Sequence, residues 1–279
     1  MAAMNLIIQG AEVATPDLKQ LAKLAGASAI EAITPAAFRL RNASASKDIA
    51  PYCEQAKLDC AFVPEERKLA DFGLAVMDMD STLVAIETID EIADMVGVKP
   101  KVAAITAAAM RGELDYAASL RERVALLAGL DEAALLRVYE ERMRLNPGAE
   151  AMLAGFKRAR IKTLLVSGGF TFYTERLKAR LGLDRTRSNT LEVRGGKLTG
   201  KLVGEIVDAE GKFSALVQMR DELKLARGQI IAIGDGANDL RFMAEAGVSI
   251  AYHAKPVVRA QATHALSYAG LDGALNLFN

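Results

Sequence analysis

The sequence lacks tryptophan, has two cysteines and two histidines in 279 residues, and carries a formal net charge of zero. Each scarcity removes a class of protein. Cys53 and Cys60 are too few for a disulfide framework and lack the paired spacing of a metal site. They read as buried small hydrophobes in a reducing cytoplasm. Balanced charge leaves no electrostatic footprint for a nucleic-acid duplex. The basic cluster Lys157, Arg158, Arg160 and Lys162 reads instead as the solvated face of one helix. No apolar run reaches the ~18–20 residues that cross a bilayer. The opening "MAAMNLIIQGAEVATPD" lacks the basic segment of a secretory signal. A cytoplasmic protein with no nucleic-acid and no membrane partner is expected. His253 and His264 belong to no motif and are read as structural.

What is present is an ordinary Ala- and Leu-rich globular composition, long enough for one large domain or two to three modest ones. Residues 4–63 read as a unit of their own. "NLIIQ" is a strand, "PDLKQLAKLAG" a helix starting at Pro16 after Thr15, and "SAIEAI" and "AFRLRN" are short strands. "SKDIAPYCEQAK" is read as helical despite Pro51, and "LDCAFV" as a strand. The order βαββαβ predicts a ferredoxin-like α+β domain over residues 1–70. The polar stretch Pro64 to Asp71 closes it as a linker that few contacts cross.

From Leu74 onward the strand-like runs "LAVMDMD", "IKTLLVSGG", "IIAIGDG" and "VSIAYHA" alternate with helical stretches. That pattern predicts an α/β domain over 71–279 with a parallel sheet covered on both faces. Its core spans 71–86 and 147–279, and a helical insertion spans 87–146. A β-hairpin, "NTLEVRGGKLTGKLVG", turns at Gly195-Gly196.

Ligands of such sheets collect beyond the carboxyl ends of the strands. Those ends carry Asp78 and Asp80, then Ser167, Gly168 and Gly169, then Asp235, Asn238 and Asp239. Each group alone is also read as a plain turn; three together need three coincidences. Carboxylates from two strands suit Mg²⁺, bound through a few carboxylates, waters and phosphate oxygens. Ser167 and two glycines opening a helix offer a hydroxyl and backbone N–H groups to an anion. Asp78 and Asp80, two apart on an extended segment, point the same way, so one can attack while the other handles protons. Lys212 opens the helix "KFSALVQMRDELK", where a cation opposes the macrodipole. A rule broken without evident gain marks function, although a solvated surface lysine is the default. Leu120, Val124 and Leu127 form an apolar stripe with Arg123 at its edge, and a surface ion pair accounts for Arg123 equally well.

"DMDST" resembles the first motif of the haloacid dehalogenase superfamily, Ser167 its second, Lys212 its third and "GDGANDL" its fourth. "DMDSTLVAIETIDEIA", "AMRGELDYAASLRERVALL" and "LLVSGGFTFYTERL" are similar to the phosphoserine phosphatase family within it, over most of Leu74 to Asn279. The resemblance implies a HAD-type Rossmann-like core with a helical cap, and an ACT-like module at the N-terminus. It implies hydrolysis of O-phospho-L-serine in the last step of serine biosynthesis. Asp78 would be the nucleophile that becomes an aspartyl-phosphate, and Asp80 the general acid and base. Mg²⁺ would be held by Asp78, Asp80 (through its carbonyl) and Asp235, with Asp239 orienting its waters. Ser167, Gly168, Lys212 and Asn238 would hold the phosphoryl oxygens. Glu87 would meet the substrate ammonium, Arg123 its carboxylate, and Met110 would line the pocket. Tyr116 departs from the phenylalanine expected there. The rivals are a phosphatase or phosphotransferase for another small phosphomonoester such as phosphohomoserine, and a catalytically silent amino-acid sensor. The N-terminal module leaves three roles open: a possible homodimer contact, serine sensing, or a structural appendage.

Overall fold

The short apolar runs inside "NLIIQ" and "LDCAFV" suit strands buried on both faces, one under helices and the other under distant chain. In the computed structural model, which describes residues 3–279, these runs are β1 (Met4–Gln9) and β4 (Asp59–Pro64). With β2 (Ala29–Thr34) and β3 (Ala37–Arg41) they form an antiparallel sheet in the order β2-β3-β1-β4. The Thr15–Leu24 and Ile49–Gln55 helices complete the expected βαββαβ order. Leu6, Ile8 and Leu40 pack with Leu18, Leu21, Ile49 and Cys53 in one core. Pro51 lies in the first turn of its helix, where its missing N–H has no partner to lose.

The opposite sheet face is also buried and mixes Ile7, Ala61 and Val63 with Asn5, Gln9 and Asp59, and its polar bonds correct the expectation that few contacts cross the Pro64–Asp71 stretch. Asp59 accepts backbone N–H groups from Ser267, Tyr268 and Ala269 at 2.7, 3.0 and 2.8 Å. Gln9 donates to the Gly273 carbonyl and accepts from Asn276, and Arg39 donates to the Phe278 carbonyl. Phe72 packs edge-on against Phe278, 5.0 Å between ring centroids. Polar residues scattered through a β pattern carry no sign of a partner more than 200 positions away.

The second sheet has seven strands: β5 (Leu74–Asp78), β6 (Lys162–Phe170), β7 (Arg185–Arg194), β8 (Lys197–Val203), β9 (Ile230–Gly234), β10 (Val248–Tyr252) and β11 (His264–Leu266). Their order is β11-β10-β9-β5-β6-β7-β8. The β9–β10, β10–β11 and β6–β7 pairs are parallel, as the buried apolar runs require, and β7–β8 is the expected hairpin. Gly195 and Gly196 turn it with φ of 58° and 75°, a conformation that side chains resist. The sequence reading omitted β11, whose three residues are too few for a pattern.

The described chain divides into two compact units. One holds the chain up to Ala75, Asn146–Lys162 and Leu223–Asn279; the other holds Val76–Leu145 and Thr163–Glu222. The second contains the helical insertion: helices Thr88–Met95, Lys99–Met110, Tyr116–Ala125 and Ala133–Arg137, then a wide turn of helix over Val138–Arg142. Asp115 starts the third of these by accepting the Ala118 N–H at 2.7 Å. No described helix is long and apolar enough to cross a membrane.

Candidate active site

Within the second unit the chemistry gathers at the end of β5. Asp78 is buried there, and its Oδ1 takes the Met79 N–H at 2.7 Å and the Lys212 ammonium at 2.9 Å. Lys212 is 1% exposed. A buried ion pair needs both members, since removing one strands an uncompensated charge. The Lys212 helix begins at Ala209, three residues earlier than the sequence reading placed it. Asp208 accepts the Gly211 N–H at 2.9 Å and serves the positive helix end, while the Lys212 side chain is committed to Asp78.

Asp80 lies beyond the strand, where Leu83 and Val84 both donate to the Met79 carbonyl and tighten the turn. Its Oδ1 accepts the Thr88 N–H at 2.9 Å, in the first turn of the Thr88–Met95 helix, and its Oδ2 accepts the Ser167 hydroxyl at 3.4 Å. Burial pushes the Asp80 carboxyl up to about 7; the charge of Glu87 adds to the rise, and the Thr88 bonds and Lys212 oppose it. Glu87 is exposed and accepts the Ser81 hydroxyl at 2.7 Å.

Ser167, Gly168 and Gly169 continue β6, and the following helix begins only at Thr171, which corrects the reading that they open it. The two glycines are required by space. A Cβ on Gly168 would lie 2.2 Å from the Tyr116 hydroxyl oxygen, and one on Gly169 2.8 Å from Asp80 Oδ2. Ser167 Oγ accepts the Gly169 N–H at 2.8 Å. The Gly168 carbonyl accepts Asn189 Nδ2 at 2.9 Å and the Tyr116 hydroxyl at 3.3 Å. Asn189, buried and also accepting the Val207 N–H, is a site residue that the sequence reading missed, because nothing in "NTLEV" marks it.

Arg123 is half-buried beside the apolar stripe of Leu120, Val124 and Leu127, all buried, and its Nε donates to the Ser119 carbonyl at 3.3 Å. Met110 ends the Lys99–Met110 helix with 71% of its surface exposed, so it is not packed against the other residues of the site.

In the first unit β9 ends at Gly234, and Asp235, Asn238 and Asp239 follow. Asp239 is fully buried, and its Oδ2 accepts the N–H groups of Asp235 and Gly236 at 3.1 and 3.0 Å. Side chains at Gly234 and Gly236 would collide with Asp239 and Asn238, so both glycines make way for the acidic loop. Asp235 and Asp239 in this unit, like Asp78 in the other, offer carboxylate oxygens, hard donors of the kind that fits a small divalent cation.

Comparison with known proteins agrees with this chemistry. The model of the haloacid dehalogenase-like hydrolases matches residues 75–244, and a domain of unknown function matches 6–49. The chain belongs to the haloacid dehalogenase-like hydrolase family. A phosphoserine phosphatase of Polaromonas sp. is 55% identical over 215 residues, 75% of this chain and 91% of that one. An unliganded probable phosphoserine phosphatase from Vibrio cholerae superposes with TM-score 0.87 at 36% identity, over 99% of this chain and 86% of that one. A phospho-aspartyl intermediate analogue of phosphoserine phosphatase gives TM-score 0.69 at 36% identity, over 75% of this chain and 99% of that one. The protein is a phosphatase, and its place in the family is among these phosphoserine phosphatases.

Proposed function

We propose that the protein hydrolyses O-phospho-L-serine to L-serine and phosphate, with Mg²⁺, through a phosphoryl group carried on Asp78. The observation that carries this reading is the contrast between the two neighbouring carboxyls. Asp78 is ion-paired with buried Lys212, whereas burial pushes Asp80 up to about 7. One is held as an anion able to attack phosphorus; the other can hold a proton for the leaving serine oxygen. Asp80 then takes a proton from the water that cleaves the aspartyl-phosphate, and the cycle closes. The relative described as a phospho-aspartyl intermediate analogue supports the covalent route.

Asp78, the Asp80 carbonyl and Asp235 would hold the cation, and Asp239, braced by two N–H groups, would orient its waters. When bound, Mg²⁺ supplies positive charge to the phosphoryl oxygens. Ser167, Gly168, Lys212 and Asn238 would hold those oxygens. Glu87 and Arg123 would read the ammonium and carboxylate of the substrate, and Met110 would line the pocket. The reaction is the last step of serine biosynthesis, in the cytoplasm. The test is phosphate release from phosphoserine, once with Mg²⁺ and once with EDTA. Release that EDTA leaves unchanged defeats the metal assignment, and release from other phosphomonoesters but not phosphoserine defeats the substrate.

A further inference from the structure

Tyr116 starts the Tyr116–Ala125 helix that carries Arg123, and its hydroxyl reaches the Gly168 carbonyl at 3.3 Å. Gly168 has no room for a Cβ because that hydroxyl is there. The same carbonyl takes Asn189 Nδ2 at 2.9 Å. A peptide's carbonyl and the next N–H share one rigid plane, so donors on the Gly168 oxygen orient the Gly169 N–H. That N–H donates to Ser167 Oγ at 2.8 Å, and Ser167 Oγ donates to Asp80 Oδ2 at 3.4 Å. With one of its two lone pairs occupied by the Gly169 N–H, the Ser167 hydroxyl directs its proton toward Asp80 or toward an anion placed beside it. Bonds in such a chain polarise one another.

From this geometry we infer that Tyr116 is a positioning residue: its hydroxyl ties the Arg123 helix to the Gly168–Gly169 peptide and through it sets the donor direction of Ser167. The inference rests on the phosphatase chemistry proposed at Asp78 and Asp80. Burial pushes the Tyr116 hydroxyl up to about 12, so it remains a donor across the working pH range. Phenylalanine in its place keeps the ring and removes only the tie.

The test compares wild type, Tyr116→Phe, Ser167→Ala and the double variant on phosphoserine and on p-nitrophenyl phosphate, which has no amino-acid portion. Tyr116→Phe is expected to lower kcat about fivefold on both esters, the size of one neutral hydrogen bond. In the Ser167→Ala background that loss should vanish, because the effect passes through Ser167. Amide exchange at Gly169 should quicken in Tyr116→Phe, a readout independent of turnover. A loss confined to the KM for phosphoserine, full additivity with Ser167→Ala, unchanged kcat, or unchanged Gly169 exchange overturns the inference. A wild type that cleaves p-nitrophenyl phosphate but not phosphoserine, with the Tyr116→Phe effect intact, overturns the substrate assignment and leaves the tie standing.

Discussion

At the scale of single residues, the two carboxyls of the β5 end invite separate removal. Asp78→Asn should abolish turnover, because an amide cannot accept the phosphoryl group; it also removes the carboxylate charge that pairs with the buried Lys212 ammonium. Wild-type-like turnover in this variant would remove the covalent mechanism. Asp80→Asn should slow the reaction ~10²–10⁴-fold, the span of general acid–base contributions. A loss of less than threefold in single-turnover measurements would return Asp80 to a structural role. Arg123→Ala should cost ~1.5–3 kcal/mol of phosphoserine interaction, as for a charged hydrogen bond, and should spare p-nitrophenyl phosphate. Equal losses on both esters would make Arg123 part of the helix scaffold through its Ser119 bond. Asp78 and Asp80 were legible in sequence because charged side chains end an apolar run, whereas Lys212 was singled out from a helix start that the structure moves to Ala209. Asn189 was not. An asparagine in a polar strand becomes informative only when the carbonyl it bonds is known.

At the scale of elements, Asp59 is where β4 takes hold of a distant segment. It receives three backbone N–H groups, from Ser267, Tyr268 and Ala269, that no strand partner serves through these bonds. Asp59→Ala should destabilise the protein by about 3 kcal/mol, the scale of orphaning buried donors. The readout is the urea midpoint at unchanged m; a shift equivalent to less than about 0.5 kcal/mol, the size of an ordinary surface substitution, would mean that water serves these donors as well. The elements themselves were largely readable. The βαββαβ order, the hairpin turn at Gly195-Gly196 and the Leu120/Val124/Leu127 stripe all follow from periodicity and turn chemistry. Boundaries were less so: Ser167–Gly169 stayed in β6 because the glycines extend under Tyr116 and Asp80 instead of coiling.

At the scale of the whole molecule, two measurements address how the chain holds together. His264 is held well below its ordinary value, at about 4, first by burial and then by the charge of Arg67, whose Nη1 lies 2.7 Å from its Nε2. A depressed histidine is neutral when folded, while the unfolded chain takes up a proton near 6.5. Stability is therefore full above about pH 6.5 and falls as pH drops toward 4, with a slope of at most about 1.4 kcal/mol per pH unit from this group. His264→Gln should flatten the decline between pH 7 and 5; an identical decline in both proteins would assign it to other groups. Removal of residues 1–69 takes away Asp59, Gln9 and Arg39 together and uncovers the 267–278 segment that they bond. The truncated chain should lose solubility and thermal stability, yet its folded fraction should hydrolyse phosphoserine within about tenfold of full length, a barrier change of about 1.4 kcal/mol or less. Folded truncated protein without turnover would show that residues 1–69 serve the chemistry itself.

The sequence by itself determined which segments are strands and helices, and where charge stands against local preference. Periodicity, turn residues and capping act over a few positions, so they are written in a few positions. Tertiary structure alone decided that Lys212 pairs with Asp78, that Gly168 lies against Tyr116 and Asn189, and that Asp59 anchors Ser267 to Ala269. The physical reason is that a buried polar group must find a partner wherever the folded chain supplies one, and that partner can lie anywhere along the sequence.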